Sequence, residues 1–218
     1  MAEPSDRSIQ HMSQFLTTEH FTLQGARNGT ISEANGRVGH YLSTLGSGLV
    51  ALAFVANTAK LQPIFLAFSS VIFPMMIVMG VVTLPRIIQI SVHDSHLARA
   101  INRIRHYYIE VAPEVEAYVS FPAYDDPDSV QVSMMPFHFP FQGLASTPGP
   151  VILINSVLCG AFAAILSAGL LALPLVPTIG IGLLVLSLAF ALHRRFAARL
   201  WARGTREDPG IRFPPPGA

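Results

Sequence analysis

The residues best suited to chemistry form the run His93-Asp94-Ser95-His96, with His106 and His138 further along. On a helix, histidines at i and i+3 share a face and could chelate zinc or another transition metal. A structural zinc site wants four well-placed ligands and a catalytic one usually three. The spacing here is generic, so hydrated polar side chains on a helix just beyond a membrane are the simpler reading. A membrane-bound metal-dependent hydrolase using His93 and His96 is the enzyme-class alternative. Asp125, Asp126 and Asp128 could attract a cation, but PAYDDPDS is turn chemistry. It also lacks the further ligands at set positions that a calcium loop needs. Glu110, Glu114 and Glu116 read as a solvated face near Arg103 and Arg105. There is no nucleophile elbow and no phosphate-binding glycine loop, and glycines 36, 39, 46 and 48 do not follow a strand. The single cysteine, Cys159, sits in an apolar run without zinc-ligand spacing and cannot form an internal disulfide. No cofactor and no enzymatic activity are expected from these residues.

The elements that carry them point to a bilayer. Of the 218 residues, 51% are hydrophobic and 12% charged, against roughly 25% charged in a soluble domain. The apolar residues are bunched, which marks spanning helices. Tyr41–Ala59, Ile64–Leu84, Val151–Ala172 and Val176–Leu192 carry no charged residue. The second holds eleven Ile, Leu, Val or Phe residues between Ile64 and Val82, which favours insertion by several kcal/mol. Pro74 near its middle predicts a kink. Charge-free spans argue against a proton-coupled transporter. Asn155 and Thr83 are the nearest polar candidates, read as helix-packing residues.

Before the first span, Ile9, Met12, Leu16, His20 and Leu23 recur every three or four residues and predict an amphipathic helix. Its sparse basic face favours packing within the protein over lying on lipid. Gly25 and Gly29 predict a bend or short loop over residues 25–30. Glu33 and Arg37 are spaced i,i+4, one turn before the apolar run, where interfacial residues belong. Gly36, Gly39, Gly46 and Gly48 lie on or near one another's turns, and small residues let helices approach closely in lipid. The third span is similarly rich, with Gly160 and Ala164 among its small residues. We therefore expect helix packing at Gly39, Gly46, Gly48, Gly160 and Ala164. After Pro85-Arg86 an amphipathic helix ends before Pro113. Residues 117–121 and 130–134 alternate like strands around a turn and predict a small β-hairpin. Residues 143–150 read as a loop.

Arginines gather in the first 40 residues, over 86–105 and after 193. The two opposite-side loops share one basic residue, Lys60. The positive-inside rule puts both termini and residues 86–150 in the cytoplasm. Glu33, Arg37, Arg86, Arg194 and Arg195 then form inner-face charges. Lys60 is the one lysine among 14 basic residues, a bias that suggests a GC-rich bacterial genome. The first thirty residues lack an apolar core after a basic start, so no cleavable signal peptide is expected. The net charge of +1 predicts no attraction to nucleic acid.

The stretch TEHFTLQGARNGTISEANGRVGHYLSTLGSGLVALAFVA resembles the start of a group of uncharacterised four-span membrane proteins from actinobacteria. That resemblance covers most of the chain and implies no activity. Over about thirty residues, the amphipathic helix, the polar ANGR step and the small-residue first span are also similar to the opening of Pycsar and SLATT-type membrane effectors. They are likewise similar to the octameric membrane proteins of the RipA family. Those likenesses imply assembly in the inner membrane to perturb it, or sensing of a cytoplasmic ligand, with no ligand-binding residue to carry over.

The expected fold is an all-α membrane protein with four transmembrane helices in two hairpins and a small cytoplasmic layer. Residues 1–40 form an N-terminal helical region and 41–84 the first transmembrane hairpin. Residues 85–150 form a cytoplasmic helix with the β-hairpin, 151–192 the second transmembrane hairpin, and 193–218 a basic tail. The expected role is that of a non-enzymatic, multi-pass inner-membrane protein that forms homo-oligomers in the bilayer, as an effector or pore. The alternative is a scaffold or regulatory subunit that binds a cytoplasmic protein.

Overall fold

The computed structural model describes residues 6–58, 62–135, 141–206 and 210–217. Every regular element among them is helical. In chain order these are α1 (Asp6–Thr58), α2 (Gln62–Val111), a 3-10 helix (Pro113–Tyr118), α3 (Pro127–Met134), α4 (Gln142–Ala145), α5 (Pro148–Leu170) and α6 (Leu175–Arg206). The apolar stretches of α1, α2, α5 and α6 make all four long and apolar enough to cross a membrane. Lys60 and His138 lie outside the described residues. The helices α1 and α2 each contribute to two compact units. One gathers Met1–Glu33, Ile90–Pro140 and Thr205–Ala218; the other gathers Ala34–Gln89 and Phe141–Gly204.

The second unit holds the apolar stretches, and α2 against α5 is its most regular seam. Leu66 meets Gly169, the Phe73 and Phe162 rings stack at 5.5 Å, and Gly80 meets the Asn155 amide. Each step of seven residues along α2 is matched by seven backwards along α5. The two helices are therefore antiparallel with the repeat of a left-handed coiled coil. Glycine at either end of the seam admits a bulky partner. On the other side of α5, Gly160 sits on the Gly182 carbonyl, and Gly182 in turn faces the Ala164 methyl. On α1, Gly48 leaves room for Met76 of α2. With no hydrophobic drive between helices in lipid, such close approach supplies the van der Waals contact that holds them.

The reversal between α5 and α6 opens with Ala172 at φ +48°, a left-handed residue just past the helix end. Glycine is the usual occupant there because it has no Cβ to collide with the carbonyl. Leu173 N–H returns to the Ser167 carbonyl at 3.4 Å. Ala172→Gly should therefore stabilise the fold, by about 0.5–1 kcal/mol after the added unfolded-state entropy of glycine. A rise in melting temperature in detergent would register it, and a fall would count against the strain.

In the first unit, the glycine break predicted at 25–30 does not occur: α1 is helical straight through. The two glycines weaken it by about 1 kcal/mol each, but tertiary bonds flank them. Arg27 grips Asp94 of α2 with Nε at 2.9 Å and a terminal nitrogen at 3.1 Å, and the Thr30 hydroxyl, which donates to the Arg27 carbonyl at 2.7 Å, shares its proton with the same carboxylate at 3.2 Å. Two turns earlier His20 stacks on Tyr108. Residue numbers rise along α1 as they fall along α2, so these segments also run antiparallel.

The β-hairpin is not present. Residues 130–134 lie in α3, and 117–118 close the 3-10 helix. Helix-start chemistry overrides the alternation of Val130 and Val132. Asp126 accepts hydrogen bonds from the Asp128 and Ser129 N–H groups at 3.1 Å, and Pro127 takes the first helical position, where its missing N–H costs nothing. The predicted loop at 143–150 is also partly helical, because α4 turns over residues 142–145 and α5 starts at Pro148.

Candidate functional site

The apolar unit contains one buried polar chain that links three helices. It starts at Tyr41 of α1, which is 1% exposed. Tyr41 donates its hydroxyl proton to Asn155 Oδ1 of α5 at 3.3 Å. Asn155 Nδ2 lies 3.2 Å from His193 Nε2 of α6, and His193 Nδ1 lies 2.7 Å from the Ala189 carbonyl. A carbonyl only accepts, so Nδ1 carries the ring proton. Nε2 then accepts from the Asn155 amide. Ser156 hydroxyl, donating to the Ile152 carbonyl at 2.6 Å, stands 3.4 Å from Nδ1 and can accept a share of the same proton. Every polar atom of the Asn155 amide side chain thus has a partner. The α2 contribution is an absence: Gly80 has no Cβ, and one there would overlap the amide.

The residues of this chain are scattered in sequence but equivalent in depth. Tyr41 opens the first apolar stretch, Gly80 nears the end of the second, Asn155 follows the start of the third, and His193 follows the end of the fourth. An antiparallel bundle brings those four ends to one level. Asn155 was legible as a packing residue. His193 was not, because beside Arg194 and Arg195 it reads as part of a basic stop. The acceptors that fix its imidazole and serine protons, the Ala189 and Ile152 carbonyls, belong to helix backbone, and the polar chain ties α1, α5 and α6 together.

The expected packing glycines divide into two sets. Gly48 and Gly160 are packed within the chain, as is Ala164 through Gly182. Gly39 and Gly46 have nothing within 4 Å of where a Cβ would stand, and the same holds for Gly36. At about 100° per residue, Ala34, Tyr41, Leu45 and Leu52 mark the packed side of α1. Gly36, Gly39, Ser43, Gly46 and Ser47 fall on the opposite side and are all exposed. Toward Phe54 this side opens into a groove of about 700 Å³, lined by Gly46, Ser47, Val50, Ala51 and Phe54 of α1 with Phe68 of α2. Of the expected inner-face charges, Glu33 is half-buried, and Arg37, Arg86, Arg194 and Arg195 are exposed. The Arg194 guanidinium stands 6.0 Å over the Phe190 ring.

In the other unit the His93-Asp94-Ser95-His96 run is split by the helix. His93 is exposed and His96 half-buried, while Asp94 is buried against Arg27. Among the described residues no group of three or more His, Cys, Asp or Glu side chains is placed to hold a metal ion. The aspartates of the PAYDDPDS segment have separate tasks. Asp126 caps α3, and Asp125 is fully buried. Arg103 Nε donates to Asp125 at 2.7 Å, and the backbone N–H groups of Arg212 and Phe213 donate to it at 2.8–3.1 Å. Burial alone would raise the Asp125 carboxyl. The two backbone donors and the Arg103 guanidinium outweigh it and hold the group below the usual carboxylate range. Neighbouring Asn102, also fully buried, donates to the Tyr124 carbonyl and accepts from Arg105 and Ser133. The role of Asp125 was missed because nothing local marks it: Arg103 lies 22 residues before it, and its two backbone donors lie more than eighty residues after it in the tail.

No family model, no curated protein and no solved structure matches this chain.

Proposed function

We propose that the chain is a non-enzymatic integral membrane protein that self-associates through the exposed side of α1, as an effector or pore of the bacterial inner membrane with both termini in the cytoplasm. One observation carries this reading. The small-residue face of α1 lies directly opposite its packed face and is left open by the described residues. In lipid a helix gains nothing by exposing backbone to acyl chains, whereas a second helix can approach such a face closely. Within the same chain the small residues Gly48, Gly160 and Gly182 each take a partner. A facing copy of α1 would treat Gly39 and Gly46 in the same way. The charge-free spans support a passage formed between copies rather than through one.

A second reading, a scaffold whose polar unit binds a cytoplasmic protein, is supported by Phe15 at 74% exposure, Phe21 at 71% and Tyr118 at 84% in that unit. Large exposed aromatics of this kind mark partner surfaces.

Light scattering of the detergent-solubilised protein, paired with ion flux from reconstituted liposomes, separates the two. The first reading expects a mass of several chains and measurable flux. A single-chain mass without flux would refute it and leave the scaffold.

A further inference from the structure

The last described stretch of the chain is held as a bound peptide would be. Four of its backbone groups are engaged. The Arg212 and Phe213 N–H groups donate to the buried Asp125 carboxylate, the Phe213 carbonyl accepts from Asp125 N–H at 3.2 Å, and the Gly210 carbonyl accepts from Arg103 at 2.7 Å. One side chain is read. The Phe213 ring stacks on His106 with centroids 4.4 Å apart, beside Tyr124, whose ring lies 5.8 Å from the same His106. Between these anchors Ile211 is 52% exposed and Arg212 is also exposed. After Phe213 come three prolines, which cannot donate, and the chain turns at Pro216-Gly217.

This division of labour, main-chain pairing for affinity and one aromatic pocket for selectivity, is that of extended-peptide recognition. The receptor half is built without the tail. Arg103 is fixed on α2, and Asn102 holds the Tyr124 carbonyl at 2.9 Å, which presents Asp125. We propose that Asp125, Arg103 and the His106–Tyr124 slot form a peptide-docking site for extended segments with an aromatic anchor. Its resident occupant is the chain's own Gly210–Phe213, acting as a displaceable strap. The site owes nothing to self-association through α1, and it would take any extended end that brings an aromatic ring and two consecutive backbone N–H groups.

The probe is a labelled peptide of the tail sequence GIRFPPPGA, added to the full-length protein in detergent. With Phe213→Ala weakening the resident strap, the peptide should bind saturably and about ten-fold or more tighter than to the parent chain, where the tethered strap competes. Adding Asp125→Asn should abolish that binding, as should replacing the peptide's own phenylalanine with alanine. A second measurement needs no variant. Excess peptide should lower hydrogen-exchange protection of the Arg212 and Phe213 amides in the parent protein by about ten-fold. No saturable binding to the Phe213→Ala chain, binding that survives Asp125→Asn, or amide protection indifferent to the peptide would each overturn the proposal.

Discussion

Gly160→Ala is expected to destabilise the protein by about 2–3 kcal/mol, near the upper end for inserting one methyl into a packed core. A Cβ there would stand 2.6 Å from the Gly182 carbonyl oxygen and 2.8 Å from the Leu186 Cβ. Both belong to the framework of α6 and cannot swing aside, so α5 and α6 must separate along their length. Gly46→Ala is the contrasting case. With nothing within 4 Å of the new methyl, the only change inside one chain is helix propensity, which favours alanine by up to about 1 kcal/mol. Denaturation in detergent at a concentration that keeps single chains apart would compare them. Equal effects at the two positions would mean that the α5–α6 contact does not hold the fold.

Asn155→Leu is expected to cost about 2–3 kcal/mol, although leucine is nearly isosteric and more apolar. The substitution removes two interhelical hydrogen bonds. Inside membranes these average roughly 0.6 kcal/mol each and reach nearly 2. It also leaves the buried Tyr41 hydroxyl and His193 Nε2 without their partners, at about 1 kcal/mol or more apiece. Tyr41→Phe removes one end of the same chain and leaves only the Asn155 Oδ1 lone pairs unmet, so its cost should stay near 1 kcal/mol. Unfolding of the two variants under one denaturant series would show the ranking. A Tyr41→Phe penalty equal to that of Asn155→Leu would place the stabilising contact elsewhere.

The helices were readable because hydrophobic runs and caps are local. Four charge-free stretches appear as α1, α2, α5 and α6, and the amphipathic stretch after Pro85 continues α2 to Val111, as its spacing indicated. Local signals also misled where two of them competed. Over 130–134 strand-like alternation lost to the Asp126-Pro127 helix start, and over 25–30 the glycine penalty lost to a long-range pair, Arg27 with Asp94. The long-range contacts had no local mark. The seven-residue register between α2 and α5 depends on which helices become neighbours. So does the meeting of Tyr41, Asn155 and His193. The sharpest example lies within one cluster of glycines. Gly46 and Gly48 are two residues apart and indistinguishable by type, yet one is open and the other carries Met76.

That difference also selects the substitutions that test self-association. Changing Gly48 would disturb the fold of a single chain, whereas Gly39 and Gly46 can be changed without touching it. The most direct measurement is the mass of the assembly in lipid nanodiscs for the parent protein and for Gly39→Leu/Gly46→Leu. The parent is expected at several chains. The double variant is expected at one, with a single-chain melting temperature at or a few degrees above the parent's, since helix propensity favours leucine over glycine by up to about 1 kcal/mol at an exposed site. A parent that runs as a single chain, or a double variant that keeps the parent's assembly, would contradict self-association through the open side of α1.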